Sequence, residues 1–306
     1  MPLLLQTLVS GGILVRQTIR VDSMERTYLL FVPNRLARVP GFFLRTSSYP
    51  VLIVLHGGGG TGRGMVRMTR GEFNQWADLR DFLVVYPDGY EKHWNDGRDL
   101  EFYASQRLQV DDVKFISRLI EKIAQDFPVN PARVYVTGMS NGGLMAYRLA
   151  CELSRRISGI APVAAPMGLK LHEKCNPISP VSVFITMGTD DPIIPWDGGQ
   201  IRFRSRVLGE VISAEATADF WAEANGCRKV QSPFYLPDRD PLDGTRVWKK
   251  LYYQCSSGKR VMLYGIEGGG HTWPGKQPYL PAEIVGRISN DIDECEEILR
   301  FFSLLE

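Results

Sequence analysis

The stretch Arg133-Val-Tyr-Val-Thr-Gly138-Met139-Ser140-Asn141-Gly142-Gly143 decides how this chain reads. Val134–Thr137 is a short β-branched run, the composition of a strand covered on both faces. From Asn141 to Leu153 apolar residues recur at helical spacing. Between them sits Gly-x-Ser-x-Gly, and in a strand–turn–helix setting that pattern is a nucleophile elbow. The serine occupies a strained turn so that its Oγ projects from the sheet. Side chains two positions before or after would strike neighbouring backbone, so both positions must be small. The helix that follows places partial positive charge where an oxyanion would develop. A serine that only caps a helix is the plain alternative, and the flanking strand and helix argue against it.

Working outward, further apolar runs lie at Val51–Leu55, Phe82–Tyr86, Ile160–Ala165, Val181–Met187 and Val261–Ile266. Amphipathic stretches separate them. Asp112–Phe127 carries Val113, Phe115, Ile116, Leu119, Ile120 and Ile123 on one stripe, with Asp111 or Asp112 as N-cap. Ala214–Ala224 and Ile292–Leu305 also read as helices. Strands alternating with helices predict βαβ crossovers and a mostly parallel sheet with helices on both faces. Gln17–Val21 and Thr27–Val32 alternate around Asp22-Ser23-Met24-Glu25, which predicts an antiparallel hairpin at the sheet edge. Residues 228–260 break the rhythm with prolines and then alternate over Val247–Tyr253, an excursion carrying a strand pair. With neither internal repeats nor a low-complexity linker, residues 1–306 read as one α/β domain.

Composition narrows the classes. Hydrophobic residues at 44% and charged residues at 23% exclude a disordered, collagenous or coiled-coil chain. Thirty-six Lys and Arg against 34 Asp and Glu leave no basic excess for neutralising phosphates, which argues against a nucleic-acid partner. No apolar run approaches the roughly 20 residues of a spanning helix. The start, MPLLLQTLVSGGILV, lacks a positive n-region and a small-residue cleavage site, so it reads as part of the folded domain. Cys151, Cys175, Cys227, Cys255 and Cys295 form no CxxC pair, which leaves a zinc site unsupported. Their odd number leaves at least one thiol unpaired within the chain, and reduced, buried thiols are one reading of all five.

A serine nucleophile needs oxyanion donors, a base and an acid. His56-Gly57-Gly58-Gly59-Gly60 follows the first central strand. A phosphate loop is excluded because no Gly-Lys-Ser/Thr follows. A His-Gly-Gly-Gly run after a strand supplies backbone N–H groups to a substrate carbonyl. His56 itself reads as a structural hydrogen-bonder. Of the other histidines, His93 and His172 lie in polar stretches and read as solvated. His271, in Glu267-Gly-Gly-Gly-His271-Thr-Trp-Pro-Gly, follows the last apolar strand and precedes the last helix, the place for a catalytic base. The acid belongs between Ser140 and His271. Gly188-Thr189-Asp190-Asp191-Pro192 offers two adjacent candidates, and Pro192 restricts Asp191 to extended backbone. Glu267 is a weaker third.

The chain resembles the polyhydroxybutyrate depolymerase and feruloyl-esterase-like branch of the α/β-hydrolases. The resemblance rests on HGGGG (56–60), YPDG (86–89), VDDVKFI (110–116), RVYVTGMSNGG (133–143), APVAAP (161–166), GTDDPIIPW (188–196), WAEANGC (221–227) and GGGHTWPG (268–275), and runs from about Gly11 onward. It implies an α/β-hydrolase fold with Ser140 as nucleophile, Asp191 as acid and His271 as base, in the order Ser, Asp, His. It also implies an oxyanion hole from the Asn141 N–H and that of Gly58 or Gly59. No cofactor or metal is implied. Cys227 would pair with Cys255 and Cys151 with Cys175, leaving Cys295 free, and such pairs belong to an oxidising, secreted or periplasmic setting. The family commonly has His before the Gly of its acid motif, where this chain has Met187.

The implied substrate is a small-molecule or polymer-linked ester. The connection Pro166–Pro180 is too short for a large lid. Trp94, Trp196, Trp273 and Tyr90 lie on loops that could meet above Ser140 and wall a cleft for feruloyl, aryl or short-chain acyl esters. A hydroxyalkanoate polymer is the alternative, and a non-catalytic binding protein on the same fold is the remaining one.

Overall fold

The computed structural model describes residues 7–9, 11–38 and 48–305. The opening six residues, read above as part of the domain, lie outside them. The strands are β1 (Thr7–Val9), β2 (Gly12–Val21), β3 (Met24–Val32), β4 (Tyr49–Leu55), β5 (Leu83–Pro87), β6 (Val129–Met139) and β7 (Gly159–Val163). They continue as β8 (Ser182–Gly188), β9 (Gly199–Phe203), β10 (Arg206–Val211), β11 (Lys229–Tyr235), β12 (Arg246–Tyr253) and β13 (Val261–Glu267). Eleven of them form one sheet in the order β1-β2-β3-β5-β4-β6-β7-β8-β13-β12-β11, and β9 pairs with β10 apart from it. The run β5-β4-β6-β7-β8-β13 is parallel, flanked by antiparallel strands at both edges.

Burial on both faces explains the continuous apolar runs. Every residue of β4 is buried. Val51, Ile53 and Leu55 enter the core on one face and Leu52 and Val54 enter the other, the period of two that a pleated strand imposes. Helices Asp112–Asp126, Asn141–Glu152 and Ala214–Ala224 cover the first face through Phe115, Ile116, Leu119, Leu144 and Trp221. Helices Gly62–Met68, Glu72–Arg80 and Glu294–Phe301 cover the second through Met65, Phe73, Ile298 and Leu299. This is the α/β-hydrolase fold. Asp111, not Asp112, caps the first of these helices, accepting from Lys114 N–H at 2.8 Å.

The N-terminal hairpin pairs Val21 with Met24, so the turn is the two residues Asp22-Ser23 and both strands run longer than the alternation suggested. The last helix is shorter than Ile292–Leu305, because Asp293 caps it and the helix ends at Phe301. Residues 229–253 do form a strand pair, but β12 joins β13 and extends the main sheet. Cys151 bonds Cys175 and Cys227 bonds Cys255, while Cys295 is a buried free thiol. Among the described residues no helix is long and apolar enough to cross a membrane.

Candidate active site

The parallel order brings the loops after β4, β6, β8 and β13 to one edge, the C-terminal ends of the strands. Ser140 follows β6 with φ 56° and ψ −122°, a strained conformation that the packing around it enforces. A Cβ on Gly138 would lie 2.7 Å from the Gly142 carbonyl carbon, and one on Gly142 would lie 2.6 Å from the Leu55 carbonyl oxygen. The elbow is therefore pressed against the end of β4, and only glycine fits on either side of the serine.

The loops after β8 and β13 meet in the same way. A Cβ on Gly188 would lie 2.2 Å from the Gly269 carbonyl oxygen, and one on Gly270 would lie 2.1 Å from that of Val285. This backbone-to-backbone contact carries Asp191 to His271. Asp191 Oδ2 lies 2.7 Å from His271 Nδ1, and its Oδ1 accepts from the N–H groups of Ile193 at 2.8 Å and Ile194 at 2.9 Å. Both side chains are buried. A bond to an enclosed carboxylate fixes the imidazole orientation and leaves Nε2 without a hydrogen-bond partner among the described residues. The competing acids are elsewhere: Asp190 is exposed beside Thr189, and Glu267 accepts from the Tyr235 hydroxyl at 2.5 Å. Met187 is buried in the core.

The two amide-bearing segments are held by a side-chain network that includes Asp96, Arg98 and Gln106, which the sequence did not single out. Gly59 N–H already donates to Lys92 C=O at 2.9 Å. Among the described residues the N–H groups of Gly58 and Asn141 have no partner, so of the two glycines Gly58 is the open donor. The Asn141 side chain accepts from Trp94 N–H at 2.8 Å and donates to Asp96 Oδ2 at 2.6 Å. Buried Asp96 is in turn paired with Arg98 at 2.7 Å and accepts from Gln106 at 3.1 Å. Trp94 is wholly buried, and its indole N–H donates to His56 C=O at 2.9 Å. It thus braces both segments instead of facing a substrate.

His56 accepts from Gly89 N–H at Nε2 (2.9 Å), so its proton sits on Nδ1, 2.7 Å from the Gly57 carbonyl. Burial lowers its pKa to about 4, and the neutral ring ties the Pro87–Gly89 turn to the glycine loop.

Ser140 stands where two cavities meet. One, of about 570 Å³, runs along the glycine loop past Met65, Met68, Arg67, Arg70 and Gln277. The other, of about 470 Å³, is walled by Phe102, Tyr103, Ile201, Phe203, Leu208 and Arg206, and includes Asn141 and His271. Tyr279 borders both. The aromatics expected at the cleft are displaced. Trp273 is buried against Phe73, Trp196 packs on Trp248, and neither they nor Tyr90 line either cavity. The walls come from residues 98–103 and the β9–β10 hairpin, which have no motif to announce them. His93, read as solvated, is half-buried, stacked on Tyr103 at 3.9 Å and beside Gly58. Burial lowers its pKa. His172 also packs, against Phe220.

The chain is similar in sequence and in fold to known proteins. The family model described as phospholipase/carboxylesterase matches residues 45–204. A protein named "Putative esterase NocK", from Nocardia uniformis subsp. tsuyamanensis, is 30% identical over 275 residues, 87% of this chain and 78% of its own. Feruloyl esterase B of Piromyces equi is 27% identical over 254 residues, covering 77% of this chain and 42% of that one. Among solved structures, an acetyl xylan esterase from Aspergillus awamori shares the fold with a TM-score of 0.58 at 12% identity, over 94% of this chain and 99% of its own. An S-formylglutathione hydrolase from Agrobacterium tumefaciens does so at 0.56 and 15% identity, over 99% of each. The chain belongs to the phospholipase/carboxylesterase family of α/β-hydrolases. It is an enzyme whose chemistry is the hydrolysis of carboxylic-ester bonds.

Proposed function

We propose that residues 1–306 act as one catalytic domain using Ser140, His271 and Asp191 through an acyl-enzyme, with feruloyl, other aryl or short-chain acyl esters as substrates. The observation that carries the reading is the bond from His271 Nδ1 to a buried Asp191, on the rim of a cavity shared with Ser140 and the open Asn141 amide. His271 Nε2 takes the Ser140 proton as Oγ attacks the ester carbonyl. The N–H groups of Asn141 and Gly58 hold the oxyanion. As the tetrahedral species collapses, the carbon–alkoxide bond breaks and His271 returns the proton to the leaving alcohol. Water, deprotonated by His271, then adds to the acyl-enzyme; the acid departs and Ser140 regains its proton. Ser140 Oγ has no hydrogen-bond partner among the described residues, a common state before substrate arrives. This chemistry calls on no metal or cofactor.

The apolar and aromatic cavity beside His271 supports the aryl reading. The test is a substrate panel: p-nitrophenyl acetate, butyrate and octanoate, methyl ferulate, and a poly-3-hydroxybutyrate suspension, each with wild type and Ser140→Ala. The expected result is turnover of the soluble esters, abolished in Ser140→Ala. Clearing of the suspension with idle soluble esters would favour a depolymerase instead. A folded wild type inert on all five would overturn the catalytic reading.

A further inference from the structure

The charge of the cleft departs from that of the whole chain. Lys and Arg exceed Asp and Glu by only two over 306 residues. Yet Arg67 and Arg70 border one cavity, Arg98 and Arg206 border the other, and among the described residues no carboxylate lines either. Arg98 is neutralised by Asp96. Arg67, Arg70 and Arg206 form no ion pair among the described residues. Arg206 is also held in place: its guanidinium lies 3.8 Å from the centre of the Phe102 ring. Stacking of that kind orients a planar cation while leaving its edge N–H groups open to an oxyanion.

The two cavities are not equivalent. His271 borders only the one that holds Arg206. Since His271 protonates the leaving oxygen, the alcohol portion of the ester belongs in that arm and the acyl portion in the other. We propose that the enzyme selects esters whose alcohol portion carries an anionic group, in the first instance a carboxylate, and that Arg206 is the residue that selects them. This rests on the hydrolytic reading above. A carboxylate there would accept from Arg206 while its carbon skeleton packs on Phe102, Phe203 and Ile201. Among the described residues no acidic side chain lines that arm, and the positive cleft would draw the carboxylate in over about a Debye length.

Matched esters separate the proposal from its foundation. The probes are 4-acetoxybenzoate and 3-acetoxybenzoate, each beside its neutral methyl ester, with acetate release followed so that only transfer of the acetyl group is counted and cleavage of the methyl ester is not. Wild type, Arg206→Gln and Arg206→Lys are compared with Arg202→Gln, which alters an exposed arginine on β9 that borders neither cavity. The ratio of kcat/KM for the acid to that for its methyl ester is the readout. Arg206→Gln is expected to lower this ratio about tenfold, the scale of one charge-assisted bond, chiefly through KM. Arg206→Lys should recover part of it, Arg202→Gln should leave it alone, and 0.5 M salt should shrink the difference. A ratio unchanged within twofold in Arg206→Gln, or an equal loss on acid and methyl ester, would overturn the proposal. Failure of wild type to hydrolyse even the methyl esters would instead overturn the hydrolytic reading, and the proposal with it.

Discussion

Two parts of the cleft are built on opposite terms. The loops after β4, β6, β8 and β13 meet through bare backbone, with Gly142 against Leu55 and Gly188 against Gly269. The walls, residues 98–103 and the β9–β10 hairpin, reach the cavity through long side chains such as Phe102, Phe203 and Arg206. Backbone contact leaves no freedom for a side chain and holds reacting groups in fixed geometry. Side-chain walls can change composition without moving the strands beneath them. In the function proposed above, the first part places the chemistry and the second chooses the substrate.

The sharpest way to break this division is at the acid. Asp191→Asn is expected to lower kcat by about 10⁴-fold, since the amide favours the wrong imidazole tautomer, while exposed Asp190→Asn stays within twofold. Ester kinetics of the two variants checks this, and the reverse ranking would show that the wrong carboxylate was assigned.

Next comes the backbone contact itself. Gly188→Ala places a methyl group 2.2 Å from a carbonyl oxygen. A shift of the β8 or β13 loop is the only relief, and a destabilisation of roughly 3 kcal/mol or more is expected, with loss of activity. Gly59→Ala is the control. Its Cβ meets nothing within 4 Å, so only its φ of +75° is strained and the cost is about 1 kcal/mol. Urea denaturation of both checks the contrast; equal effects would mean that steric fit does not set the loop geometry.

An effect absent at neutral pH and growing only in acid concerns His56. Its folded pKa, about 4, lies below the unfolded value near 6.5, so between those limits the unfolded state binds more protons. Stability contributed by the neutral ring is therefore complete above pH 6.5 and falls as pH drops towards 4, by up to about 3 kcal/mol. His56→Gln should flatten that part of the curve. An unaltered pH dependence in the variant would assign the acid sensitivity to other groups.

The same division explains what the sequence disclosed. Gly138, Gly142, Gly188 and the run 268–270 were legible because close backbone approach admits one residue type and leaves a short motif. The central strands were legible because burial on both faces demands unbroken apolar runs, as in β4. Trp94 misled for a physical reason: a tryptophan on a loop can face a ligand or the interior, and its indole N–H found His56 C=O inside. Asp96 and Gln106, which fix Asn141, were silent because any polar pair of suitable reach could serve. The helices Gly62–Met68 and Glu72–Arg80 lack a marked apolar stripe, so their sequence does not announce them.

We propose that Ser140 is the residue that takes the acyl group, because Gly58, Asn141 and His271 border one cavity with it at the elbow. The most direct measurement is intact mass followed by peptide mapping after treatment with a fluorophosphonate. The account predicts one adduct per chain, on Ser140, formed with the wild type and absent in Ser140→Ala. An adduct on another residue, or none on a folded wild-type protein, would contradict it.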